Sequence, residues 1–154
     1  VLFNYLISEG ANINHKTNNG ASLLHEVAAN GTSEQFDTLI KNGANINHKT
    51  RNGETLLHHA ASSGNIEMLE LLLSKHISIN AQTNDYGETA LHKAVRAGKI
   101  KVIKLLVERG ANTKIKTIKN WYWGGERCIP KGSKAYDYAK IFDFKEAVYF
   151  LKNN

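Results

Sequence analysis

Apolar positions recur along the chain in short helical stretches. Ile66, Leu69, Leu72 and Leu73 fall at i, i+3, i+6 and i+7, the spacing of one apolar helix face, and Ile100, Ile103, Leu106 and Val107 copy it. Before each such helix runs a shorter one of the form Leu-Leu-His-x-Ala-Ala, whose small residues let a neighbouring helix approach closely. Asn-Gly or Tyr-Gly turns precede the short helices at Gly20, Gly53 and Gly87, and Gly31, Gly64 and Gly98 are expected to end them as C-cap glycines. Gly43 and Gly110 close the second helices. His76 holds the same place in the middle copy, where a positive φ would be mildly strained. Thr32 with Gln35 reads as a capping box. Neither helix of such a pair can bury its apolar face alone, whereas stacked copies can.

The copies are literal. Gly-Ala-Asn-Ile-Asn-His-Lys-Thr at 10–17 returns at 43–50, with relaxed versions at 76–83 and 110–117. Between them stand NGASLLHEVAANG from Asn19, NGETLLHHAASSG from Asn52 and YGETALHKAVRAG from Tyr86, with turn glycines 33 and 34 residues apart. This pattern resembles the ankyrin-repeat family, with its 33-residue period and T-P-L-H-x-A motif. Thr55, Leu57, His58 and Ala60 match the motif, as do Thr89, Leu91, His92 and Ala94. Ser22, Leu24 and His25 match it less fully, and the motif Pro is replaced by Leu23, Leu56 and Ala90. The resemblance implies an all-α solenoid of stacked helix-turn-helix units with β-turn fingers, forming one domain over 1–154. A partial repeat covers 1–18, full repeats cover 19–51 and 52–85, a third full repeat with an insertion at 117–131 covers 86–131, and a capping repeat covers 132–154. Leu6 and Ile7 stand in the places of Leu39 and Ile40, so the array is expected to extend further at its N-terminal end. At the other end Gly132 aligns with the turn glycines, Asp137 replaces the motif His, and a final helix over 145–152 carries Val148 and Leu151 inward.

Charge divides the chain in two. The net +6 is made of −2 over 1–84 and +8 over 85–154, so basicity belongs to the C-terminal half. No apolar run approaches the length of a membrane span. The single cysteine, Cys128, excludes an intramolecular disulfide and fits a reducing compartment. The expected location is cytoplasmic, or the host cytosol for a secreted effector.

Candidate chemistry is sparse. The chain has no Gly-rich phosphate loop, paired-carboxylate motif or HExxH, and no nucleophile signature surrounds Cys128. It is therefore read as no enzyme and as needing no cofactor. His25, His58 and His92 recur once per repeat, on helices about 8–10 Å apart. Zinc would need ligand nitrogens within about 2.1 Å of one ion, so no metal site is expected. The resemblance gives these three histidines hydrogen bonds to the adjoining turn instead. His15 and His48 are expected to be solvated finger residues.

The resemblance also implies a protein partner, docked on the concave face of fingers and first helices by a monomer. The family's variable positions correspond to Asn18, Asn19, Ala21, Ala29 and Asn30, then Arg51, Asn52, Glu54, Ser62 and Ser63, then Asp85, Tyr86, Glu88, Arg96 and Ala97. To these the insertion adds Trp121, Tyr122 and Trp123, beside Gly124-Gly125, which favours a mobile tip, and Arg127. Exposed aromatics dominate interface hot spots; the competing reading is that the rings fold back to seal the last repeat groove. The predicted partner-binding set is Arg51, Glu54, Ser62, Ser63, Asp85, Tyr86, Glu88, Arg96, Trp121, Tyr122, Trp123 and Arg127. Two further readings stand beside it. One makes the array the targeting arm of a larger effector or enzyme. The other makes it an electrostatic binder of anionic lipid or nucleic acid, through a stretch from Lys93 to Lys119 whose nine cations face only Glu108 in the sequence.

Overall fold

The computed structural model describes residues 2–13, 15–123 and 127–154, with the side chains of all of these except Leu2, Asn4, Trp123 and Arg127. Two rows of helices stack along one axis. The first row is α2 (Leu23–Asn30), α4 (Leu56–Ser63), α6 (Ala90–Arg96) and α8 (Ala135–Ile141). Behind it lie α1 (Leu2–Ser8), α3 (Ser33–Lys41), α5 (Ile66–Ser74), α7 (Ile100–Glu108) and α9 (Lys145–Lys152). Within the first row each helix packs on the next, α2 on α4, α4 on α6 and α6 on α8. Ala28, Ala60, Ala61, Ala94 and Ala139 are fully buried there, because only small side chains fit between helices so close. Phe36, Leu39, Met68, Leu69, Leu72, Ile103 and Leu106 fill the space between the rows. Each such side chain contributes about 1.5–3 kcal/mol by leaving water.

The short helices start where they do because each carries its own cap. Ser22, Thr55 and Thr89 are extended, and their backbone N–H groups donate to Nδ1 of the motif histidine three residues on, at 3.3, 3.1 and 3.2 Å. In α8 the Lys134 N–H donates instead to Asp137 Oδ2 at 2.8 Å, so the aspartate takes the histidine's place in the cap. Thr32 and Gln35 form the capping box expected of α3.

Gly64 and Gly98 end their helices at positive φ (+91° and +65°), but Gly31 does not; its φ is −93°. There the requirement is space, since a Cβ would lie 2.7 Å from Val27 Cγ1 and 2.8 Å from the Val27 carbonyl oxygen. His76 is held at φ +60°, as its place among the closing glycines implied.

Each finger is closed by a backbone hydrogen bond from a threonine N–H, Thr17 to Ala21, Thr50 to Glu54 and Thr83 to Glu88. The fourth closes in the same way, Thr117 N–H to the Ser133 carbonyl at 2.9 Å, with the whole insertion held between those two residues. Neighbouring fingers join through Arg51 to Asn19, Asn84 to Asn52 and Ile118 to Tyr86. From the fourth finger rises an antiparallel hairpin of β1 (Trp121–Trp123) and β2 (Arg127–Ile129), pairing Trp121 with Ile129 and Tyr122 with Cys128. No helix among the described residues is long and apolar enough to cross a membrane.

Candidate partner-binding site

On the first-helix face a cleft of about 240 Å³ opens between α2, α4 and α6, lined by Ala29, Asn30, Glu54, His58, His59, Ser62, Ser63, Lys93 and Arg96. Stacking builds it, because residues at one register position of successive repeats come side by side. Ser63 Oγ donates to the Ala29 carbonyl at 2.7 Å and ties the helices together.

The charges in the cleft are matched internally. Lys93 Nζ lies 2.5 Å from Glu54 Oε1 and 3.0 Å from Glu88 Oε2. Arg96 Nε lies 3.7 Å from Glu88 Oε1, to which the Tyr138 hydroxyl also donates at 3.1 Å. His59 Nε2 stands 3.2 Å from Glu54 Oε2. The contact from His59, joined by Lys93, outweighs burial and holds the Glu54 carboxyl well below the usual carboxylate range. Burial, with the Glu88 charge beside it, raises the Tyr138 phenol, which therefore stays a donor.

These distances correct two expectations. Glu88 is only 2 % exposed; it cannot meet a partner and instead anchors Lys93 and Arg96 from beneath the surface. The basic stretch does not face Glu108 alone. Lys93, Arg96, Lys104 and Arg109 meet Glu54, Glu88, Glu146 and Glu70, all of which lie outside that stretch. Lys93 is itself buried rather than a solvated charge.

The hairpin leans onto the same face. Ile129 is fully buried, and Trp121 packs against the core. The Arg96 guanidinium lies 4.7 Å from the Trp121 ring centre, a contact worth about 0.5–2 kcal/mol. Tyr86 meets Trp121 edge-on at 6.2 Å. Thus Tyr86, Arg96 and Trp121, far apart in sequence, form one cluster at the cleft's C-terminal edge. Trp121 has largely taken the inward role, whereas Tyr122 is 67 % exposed. The side chains of Trp123 and Arg127, and Gly124-Gly125, lie outside the described residues. Ser62, Ser63 and Glu54 line the cleft; Arg51 is exposed on its finger, and Asp85 Oδ1 accepts the Tyr86 N–H at 2.7 Å.

Two of the three motif histidines join a turn to a helix as expected, and the third, His25, does not. His58 Nε2 donates to the Glu88 carbonyl at 3.1 Å, and His92 Nε2 to the Ser133 carbonyl at 3.4 Å. His25 Nε2 is buried without a partner at hydrogen-bond distance and is only partly supported by the Glu54 backbone. Burial lowers His25 and His58 to about 4, and lowers His92 as well. His15 is exposed as expected, but His48 is half-buried, its Nε2 2.9 Å from the Gly20 carbonyl oxygen of the preceding finger. Among the described residues no three of His, Cys, Asp and Glu are placed to hold a metal ion.

His59 was missed as a cleft residue. A signal for it existed: Glu26, His59 and Lys93 each directly follow a motif histidine, so the variable residue of that pair was legible.

The family model described as ankyrin repeats (3 copies) matches the chain at residues 1–83 and again at 24–117. No curated protein matches it.

Proposed function

Because the chain belongs to the ankyrin-repeat family, a generally non-catalytic class of protein-interaction modules, we propose that it binds a protein segment along its first-helix face, from the Ser62–Ser63 cleft to Tyr122 on the hairpin. The observation that carries this reading is the cleft itself. Its Lys93 and Arg96 are bound to Glu54 and Glu88 beneath them, so its walls are set before a partner arrives. A surface already ordered loses little side-chain entropy on docking. Tyr122 supplies exposed aromatic area beside it.

Trp121 is a poor probe of this surface, since its ring supports Arg96 and Tyr86. Ser62→Trp, which fills the cleft, and Tyr122→Ala, which removes an exposed ring, are cleaner. Partners captured by the parent chain are identified, purified and titrated against both variants and against Lys75→Ala, on the second helix row. The expected result is affinity lost with Ser62→Trp, weakened with Tyr122→Ala and kept with Lys75→Ala. Equal affinity for all four folded proteins would refute the assignment.

A further inference from the structure

We propose that the C-terminal end of the described array carries a second interaction surface, one that takes the phosphate groups of anionic lipid headgroups at a membrane surface. The starting observation is how charge is shared between faces. The cleft cations Lys93 and Arg96 are paired with Glu54 and Glu88, so the remaining positive charge of residues 85–154 acts elsewhere.

It gathers around a cavity of about 310 Å³ between the last finger, the start of α8 and the end of α9. Lys114, Lys134 and Lys152 line it together with Thr113 and Tyr136, and no carboxylate side chain does. Among the described residues none of these three lysines is in an ion pair, in contrast to Lys93, Lys104 and Arg109. The carboxylate next to Lys134, that of Asp137, is turned into the α8 cap by the Lys134 N–H. A fourth cation, Lys140, stands 5.6 Å from the Tyr136 ring. Three lysines around one cavity, none of them in an ion pair, offer several donors to an anion that carries several oxygens.

The outer face of α9 favours a membrane as the source of that anion. Lys145, Tyr149 and Lys152 stand at i, i+4 and i+7 on one side of the helix, and Tyr149 is 75 % exposed. A tyrosine flanked by lysines suits the headgroup region, where an apolar ring and its hydroxyl are both accommodated and long basic side chains reach phosphates.

The test is co-sedimentation of the whole chain with phosphatidylcholine vesicles, with and without a minor fraction of phosphatidylinositol bisphosphate. Binding is expected only with the anionic lipid. Lys114→Ala and Lys152→Ala, both at exposed positions, should each weaken it about fivefold, and the triple variant with Lys134→Ala by more than about tenfold. Lys99→Ala with Lys101→Ala removes as much charge as two of these changes from another face and should cost less than about twofold. Tyr149→Ala should weaken vesicle binding without changing the affinity for inositol trisphosphate in solution. Ser62→Trp should leave vesicle binding unchanged, which separates this surface from the cleft. Absence of binding to the anionic vesicles overturns the proposal, as does an equal loss from the Lys99/Lys101 pair. Binding of soluble inositol trisphosphate or duplex DNA by a chain that ignores vesicles overturns the membrane assignment.

Discussion

A buried imidazole that joins two backbone segments has to remain neutral. His58 Nδ1 accepts the Thr55 N–H while Nε2 donates to the Glu88 carbonyl, and a second proton would set Nδ1–H against that N–H. Burial accordingly lowers His58 and His25 from 6.5 to about 4. Such groups bind fewer protons folded than unfolded, so their contribution is complete above pH 6.5 and is lost as pH falls toward 4. Glu54, held below its ordinary 4.5, adds a further loss once pH drops past that value. The melting temperature is therefore expected to fall steadily between about pH 7 and about pH 4. His58→Gln should melt lower at neutral pH but show a shallower fall, because glutamine does not titrate. A variant as steep as the parent would remove His58 as a source of the slope.

At the scale of the element, positions that align in sequence obey different constraints. Gly31, Gly64 and Gly98 all follow a first helix, yet only the latter two need left-handed backbone. Gly31→Ala is expected to cost about 1–3 kcal/mol through overpacking, because the atoms it would meet include the Val27 backbone. The second-helix ends show the converse. His76 adopts φ +60° where Gly43 and Gly110 adopt +89° and +88°. His76→Gly should raise stability by about 0.5 kcal/mol, the relief of a left-handed side chain less the entropy glycine adds to the unfolded chain. Chemical denaturation of the two variants checks both signs, and an unchanged midpoint for Gly31→Ala would mean that Val27 moves aside freely.

For the whole molecule, each repeat touches only its neighbours, so stability is distributed along the stack. Helices α4 and α6 are flanked on both sides within their row. By contrast α1 leaves Tyr5 58 % and Leu6 49 % exposed. Amide exchange should therefore be slowest in α4 and α6 and fastest in α1, with opening free energies rising inward. Uniform protection from α1 to α9 would instead indicate a single cooperative unit.

Repeats, helices, caps and the family were determined by the sequence itself, because they follow from rules that act over a few residues and then recur. The spacing of apolar positions, the turn glycines and the cap pairs Thr55–His58 and Thr32–Gln35 are all of this kind. The fate of the charges was decided only by the tertiary structure. Glu54 and Glu88 each follow a turn glycine and look alike in sequence, yet the side chain of one is 21 % exposed and that of the other 2 %. Tyr138, fifty residues away, makes part of that difference by bonding Glu88 from the far side. Coulomb energy depends on distance and burial, and pairs brought together from separate repeats leave no mark in local pattern. For that reason the row of first helices was legible in the sequence. That Lys93 and Arg96 are already spoken for, and that free positive charge gathers instead around Lys114, Lys134 and Lys152, could be seen only once the repeats were stacked.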